Sequence, residues 1–332
     1  MRVLGIGPGD EVIVSPRSYV ASAMCVLLSG ATPVFADVDP ASGCITPETA
    51  ELVRSPRTRA VIPVHVGGWP CDMPGFMEWA GTHGLHVVED CAQSHGGHVD
   101  GRPVGTFGTL SSWSFCQDKI MTTGGEGGML STADRGLFKR CWSYAQHGKD
   151  HDGALVADHA ATPGAFRWTV SHEGTNLRMT EVQAAIGLRQ LTKLHAWSAA
   201  RRRNSRIMQD ALRGLPGIKA PVTPDGHAHY RYAAFTEGRD APSRRDRLLA
   251  TLNASGLQVM QGSCPEIYLE RAFVARGFTP AALNRGPRDA DGRLPNARRL
   301  GETSLTFLVH HTIDEGSMRA YAEGVRHVVL NT

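Results

Sequence analysis

Two stretches of the chain concentrate side chains that can do chemistry. The first is Glu89-Asp90-Cys91-Ala92-Gln93-Ser94-His95-Gly96, where an acidic pair closes a short apolar run. The second is Ser114-Phe115-Cys116-Gln117-Asp118-Lys119, followed by Thr122-Thr123-Gly124-Gly125-Glu126-Gly127-Gly128. A lysine amine is a nucleophile toward carbonyl groups, and a carboxylate at a strand end can stabilise a positive charge. Taken singly, each has an ordinary explanation: a strand-terminal Asp caps the next turn, and a loop lysine is solvated. The glycine cluster matches neither a P-loop nor a dinucleotide fingerprint, because Lys119 precedes the glycines instead of following them.

The elements that must position these groups follow from periodicity. Apolar β-branched runs at 11–15, 32–37, 59–64 and 86–90 predict strands, alternating with helical patterns that end at Leu28 and span 73–83. Thr46 is placed to cap a helix, with Pro47 suited to its first turn and Glu48 to its dipole. Further strands are expected at 110–115 and 128–131, flanking the glycine-rich loop. This rhythm predicts a mostly parallel sheet wrapped by helices, and in such sheets ligands sit at the carboxyl ends of strands. Residues 149–164 lack periodicity and read as a mobile loop. Residues 180–206 read as one long amphipathic helix starting at a capping residue. Beyond Pro216 the texture changes, with a strand at 230–236 and a helix at 244–255. The expected division is a large domain over 1–215 and a smaller α+β domain over 216–332.

Bulk properties exclude several classes. The chain has 332 residues, 41% of them hydrophobic, which is ample for a buried core. The net charge of +3 comes without a long Lys/Arg run. The triplet Arg201-Arg202-Arg203 reads as a solvated helix face rather than a nucleic-acid patch. Seven cysteines (Cys25, Cys44, Cys71, Cys91, Cys116, Cys141 and Cys264) are dispersed without a CxxC pair, as expected of reduced thiols rather than a disulfide framework or a metal site. The start MRVLGIGPGDEV has no apolar leader, and no stretch is apolar enough to span a bilayer, so no membrane partner and a cytoplasmic location are expected.

Together, the two stretches resemble the DegT/DnrJ/EryC1/StrS family of sugar-nucleotide aminotransferases, which depend on pyridoxal 5'-phosphate and have the fold-type I (aspartate-aminotransferase-like) α/β architecture. The similarity runs over residues 4–332. It is strongest over 10–131 and at Gly174-Thr175-Asn176-Leu177-Arg178-Met179-Thr180-Glu181-Val182-Gln183-Ala184-Ala185-Ile186-Gly187. The chemistry accounts for the residue types. Such a site needs an amine to form a Schiff base with the cofactor and a carboxylate to keep the pyridine nitrogen protonated as an electron sink. The resemblance implies that Lys119 is the Schiff-base lysine, Asp90 the partner of the ring nitrogen and Gln93 the donor to the ring's phenolic oxygen. It also implies that Ser114 holds the phosphate and that Tyr19, in SPRSYVAS, stacks on the ring. Asn176 matches a residue that reaches the phosphate from a neighbouring subunit, which implies a homodimer with shared active sites; the plain alternatives are a core tyrosine for Tyr19 and a helix-entry turn residue for Asn176.

The implied reaction transfers an amino group from an amino acid, glutamate by resemblance, to a keto sugar on a nucleoside diphosphate. A related branch with His at the lysine position performs dehydration, and Lys119 favours transamination. A relative without turnover, regulatory or degenerate, is the reading from a different class. In the family about fifty to sixty residues precede this start, with a Ser/Gly-Thr turn whose amides bind the phosphate. That turn is expected upstream of this start, or to be missing from the protein. Where relatives show Leu-Pro-Leu-His, this chain has Leu305-Thr306-Phe307-Leu308-Val309-His310-His311. The resemblance therefore assigns no substrate-binding residue in this stretch or in 262–268.

Overall fold

The computed structural model describes residues 1–155, 169–262, 266–278 and 280–332. Part of the expected mobile loop, 156–164, and Cys264 lie outside the described residues. The strands are β1 (Glu11–Val14), β2 (Thr32–Phe35), β3 (Thr58–Ile62), β4 (His86–Asp90), β5 (His98–Val99), β6 (Arg102–Pro103), β7 (Leu110–Ser114), β8 (Gly128–Ser131), β9 (Ile218–Lys219), β10 (Tyr232–Thr236), β11 (Val259–Gln261) and β12 (Ser304–Phe307). The helices are α1 (Ala21–Leu28), α2 (Pro47–Glu51), α3 (Met73–His83), α4 (Arg135–Ala145), α5 (His151–Leu155), α6 (Glu181–Leu191), α7 (Leu194–Leu212), α8 (Ala241–Ala254), α9 (Arg271–Val274), α10 (Pro280–Leu283), α11 (Pro295–Thr303) and α12 (Glu315–Asn331).

Six strands form the main sheet in the order β2-β1-β3-β4-β7-β8. All neighbours are parallel except β7 and β8, which are antiparallel. Val12, Ile13 and Val14 are fully buried, so β1 needs apolar side chains on both faces, as a covered parallel sheet requires. The mostly parallel α/β sheet expected from the sequence is therefore present. β8 ends the sheet, and its Met129 and Leu130 remain about half exposed.

Cap chemistry sets the helix starts. Thr46 and Thr49 exchange hydrogen bonds at the head of α2, Thr49 N donating to Thr46 Oγ1 at 3.3 Å and Thr46 N to Thr49 Oγ1 at 3.0 Å. Thr180 and Gln183 do the same for α6. The single long helix expected at 180–206 is instead two, α6 and α7. At the junction the Thr192 hydroxyl donates to the Arg189 carbonyl and Lys193 N bonds back three residues to Gln190, so the i→i−4 ladder is interrupted without Gly or Pro.

A second sheet, β11-β12-β10-β9, is antiparallel and packs with α7, α8 and α12 around Met208, Leu248, Phe307, Met318 and Val325. The segment carrying Tyr268, Phe273, Leu283, Leu294 and Leu300 returns to the first core, around the main sheet. The chain thus crosses three times between the two cores.

Candidate active site

β4 and β7 are hydrogen-bonded neighbours, with Glu89 opposite Ser111 and Asp90 opposite Ser112. Their carboxyl ends deliver Asp90 and Ser114 to one edge of the main sheet. The turn after β7, closed by Lys119 N donating to Cys116 O at 3.0 Å, adds Lys119. Its side chain is only 12% exposed, with the amine 3.9 Å from an Asp118 oxygen and 5.2 Å from the centre of the Tyr230 ring.

Asp90 is held by donors on both oxygens. Ser22 Oγ, on α1, donates to Oδ2 at 2.8 Å, and Ala92 N to Oδ1 at 3.1 Å. Ser18 lies 2.6 Å from Ser22, so the turn that carries Tyr19 is tied to the same carboxylate. Tyr19 is 70% exposed and so is not a core tyrosine. Gln93 is buried, and its Oε1 accepts from Gly67 N at 2.7 Å. Ser114 is half-buried, its Oγ accepting from Cys116 N at 3.3 Å. Asn176 is exposed, and its side chain accepts only locally, from Arg178 N at 3.2 Å. Among the described residues, none of its hydrogen bonds reaches the Lys119 cluster.

Beneath Asp90, Glu89 is completely buried and accepts five hydrogen bonds, from the amides of Gly105, Phe107 and Gly108, the Ser111 hydroxyl and His65 Nε2. His65 Nδ1 accepts from Cys71 N at 2.9 Å, so its proton is on Nε2, facing Glu89. Burial alone would raise the Glu89 pKa, but the His65 bond and the amides hold it below the usual carboxylate range. His65, Glu89 and Cys91 lie close enough to ligate a metal. Their lone pairs are already committed, however, and burial beside Glu89 and Asp90 keeps the Cys91 thiol protonated. This set is a brace for the βα loops, not a metal centre. Glu89→Leu is expected to destabilise the fold by about 3 kcal/mol, because five buried donors lose their acceptor. Since the folded-state pKa is depressed, the stabilisation is present above the unfolded carboxylate's pKa and lost as pH falls through the folded one. Urea titrations of both proteins at neutral and acidic pH check both points, and equal stability at neutral pH would show that the brace is dispensable.

The sequence reading missed the segment 227–231. Ala228 N donates to Gly68 O at 2.8 Å and Arg231 N to Gly67 O at 3.4 Å. His229 adopts φ +53°, and a Cβ on Gly68 would lie 2.9 Å from its amide. The Arg201 guanidinium donates to the carbonyls of His229 and Tyr230 at 3.3 and 3.1 Å. Arg201 is 1% exposed, which overturns its reading as part of a solvated face. The result is that Tyr230 and Arg231 stand beside Lys119. His95, also buried, packs on Trp113 and Phe115. Burial, with the charges of Lys119 and Arg201, lowers its pKa to about 4, so it is neutral at physiological pH.

The residues fit pyridoxal phosphate. The cofactor needs an amine, an anionic partner for its ring nitrogen and a flat apolar surface. Lys119 supplies the first. Each Asp90 oxygen accepts one hydrogen bond, so the carboxylate retains acceptor capacity for a further donor. Tyr19, on the turn tied to Asp90 through Ser18 and Ser22, has an exposed aromatic ring, and Ser114 has a hydroxyl at the head of the turn that carries Lys119.

A protein-family model, the DegT/DnrJ/EryC1/StrS aminotransferase family, matches residues 1–311. The chain is 38% identical over 260 residues to a UDP-N-acetyl-3-dehydro-alpha-D-glucosamine 3-aminotransferase of Acidithiobacillus ferrooxidans, a match spanning 77% of this chain and 64% of that relative. It is 33% identical over 330 residues to the dTDP-3-amino-3,4,6-trideoxy-alpha-D-glucose transaminase of Streptomyces venezuelae, covering 98% of this chain and 78% of the relative. Among solved structures, an aminotransferase from Psychrobacter cryohalolentis superposes with a TM-score of 0.91 at 42% identity, covering 99% of this chain and 83% of that one.

Proposed function

The chain belongs to the DegT/DnrJ/EryC1/StrS aminotransferase family, and from that premise we propose that it moves an amino group from an amino acid, glutamate in the sequence reading, to a keto sugar carried on a nucleoside diphosphate. The observation that carries this reading is the placement of Lys119 and a doubly held Asp90 on adjacent strand ends. The names of the two enzyme relatives, a UDP-sugar and a dTDP-sugar aminotransferase, support the substrate class.

Pyridoxal phosphate, when bound, supplies an electron sink through its protonated ring nitrogen. The chain's own residues do the rest. Lys119 would anchor the cofactor through its amine and supply the acid/base group for the proton transfer. Asp90 would keep the ring nitrogen protonated, with Ser22 and the Ala92 amide fixing its orientation. Gln93, its oxygen accepting from Gly67 N, would donate from its amide to the ring oxygen. Tyr19 would cover the ring, and Ser114 would hold the phosphate.

Asn176 would complete a second subunit's site in a homodimer. The apolar side chains that α6 and its approach leave exposed, Leu177, Val182, Leu188 and Leu191, support that assembly. Among the described residues, no helix is long and apolar enough to cross a membrane.

Two measurements test the proposal. Borohydride reduction of the loaded protein is expected to fix the cofactor on the Lys119 peptide; label on Lys139, Lys149 or Lys193 would sink the assignment. A panel of dTDP-, UDP- and GDP-linked keto sugars with glutamate is expected to give an amino sugar in at least one case. Amination of free α-keto acids alone would leave the fold reading intact and remove the sugar-nucleotide one.

A further inference from the structure

Asp118 is the acidic neighbour of the Lys119 amine, and its two oxygens have different tasks. Oδ2 accepts from the Tyr230 hydroxyl at 2.5 Å and from Arg231 Nη2 at 3.4 Å. Oδ1 faces the Lys119 amine at 3.9 Å. Tyr230 is 7% exposed, and Lys119 lies over its ring face, where a cation is attracted by the ring quadrupole. The hydroxyl and the ring of one tyrosine thus define the position of both members of the pair.

The backbone that presents Tyr230 is held on three sides. Gly67 and Gly68 accept from the amides of Arg231 and Ala228, His229 sits in the left-handed region, and the Arg201 guanidinium binds the two carbonyls at 229 and 230. A left-handed non-glycine residue persists only where its surroundings over-determine it. Here they do, and what they fix is a tyrosine aimed at the residue next to the lysine.

We propose that Asp118 is a positioning residue for Lys119, oriented by Tyr230, which holds the lysine amine in reach of the cofactor whenever the two are not covalently joined. This rests on the reading of Lys119 as the cofactor's anchor. In such a transfer the amine would be released when the amino donor enters and would have to return when the aminated product leaves. A long flexible side chain released into a cleft loses orientation, and a fixed anion one residue away, with an aromatic face beside it, limits the loss. Burial raises the pKa of both groups. For Asp118 the Tyr230 hydrogen bond and the charges of Lys119 and Arg231 more than offset this, leaving it ionised. For Tyr230 the bond to Asp118 adds to the effect of burial, so the phenol stays a donor.

The test uses the cofactor-free full chain and added pyridoxal phosphate, quenching with borohydride at intervals and quantifying the reduced Lys119 peptide by mass spectrometry. Parent, Asp118→Asn, Tyr230→Phe and the double variant are compared. Asp118→Asn is expected to slow capture at Lys119 about tenfold, the loss of one charge-assisted contact. Tyr230→Phe should slow it by a smaller factor, and the double variant no more than Asp118→Asn alone, because the tyrosine acts through the aspartate. In the loaded enzyme kcat, referred to bound cofactor so that unfolded protein is not counted, should fall while the donor's KM holds. Unchanged capture in both single variants, or multiplicative slowing in the double one, overturns the proposal. Label away from Lys119 in the parent would instead overturn the reading it rests on.

Discussion

Lys119→Ala is expected to lower turnover by at least about 10⁴-fold, because it removes the cofactor's covalent anchor and the acid/base in one change. Three of the other lysines are engaged or placed elsewhere: Lys139 is paired with Asp152, Lys193 lies over the Trp197 ring, and Lys219 is on β9 in the second sheet. The truncation leaves Asp118 bound to Tyr230 and Arg231, so the surroundings should keep their arrangement and the variant its thermal midpoint. Steady-state amination with the productive sugar and circular dichroism on the same preparation separate loss of chemistry from loss of fold. A folded Lys119→Ala protein with a tenth of parental turnover would show that another group moves the proton.

Asp90→Asn is expected to cost at least about 100-fold in turnover while leaving borohydride labelling of Lys119 in place. The amide is nearly isosteric, and its oxygen can still accept from Ala92 N or Ser22 Oγ, so the local structure should survive. What it cannot do is hold a proton on the ring nitrogen, because it carries no charge. The loss should therefore appear in kcat with little change in labelling yield. Near-parental turnover would mean that the carboxylate is only a strand-end cap tying α1 to β4.

The parts legible in the sequence were those encoded locally. The strands ending at Asp90 and before Lys119 were readable from local pattern, the roles of Asp90, Gln93 and Lys119 only through the resemblance of their flanking motifs, and Thr46 and Thr180 announce their helices through their own neighbours. What escaped was carried by distance along the chain. Glu89 reads as one half of an acidic pair, and only the fold shows that its acceptors serve His65 and the loop at 105–108. Tyr230 meets Asp118 across 112 positions, a pairing no local pattern encodes. The misreading of Arg201 was avoidable. Residues 201, 204, 205, 208 and 212 are buried on one face of α7, at helical spacing. An arginine on that stripe belongs to the interior whatever its two neighbours do. The start of α4 was equally readable, since Asp134 accepts from Leu137 N at 2.8 Å as an N-cap.

The main sheet also has a direction of growth. On one side β2 is met by a bridge from Phe35 to Asn284, and α10 packs beside it, so that margin is covered by the chain's own return. On the other side β8 presents Met129 and Leu130 to solvent, with no strand beyond it among the described residues. An open margin of this kind is a template for another strand, whether from its own polypeptide, a sister molecule or an aggregate. Any such strand would be added next to Gly128, whose neighbour in the ladder is Ser114. Association at this margin would therefore not be remote from the site: only β8 would separate the added strand from β7, from which the lysine loop departs.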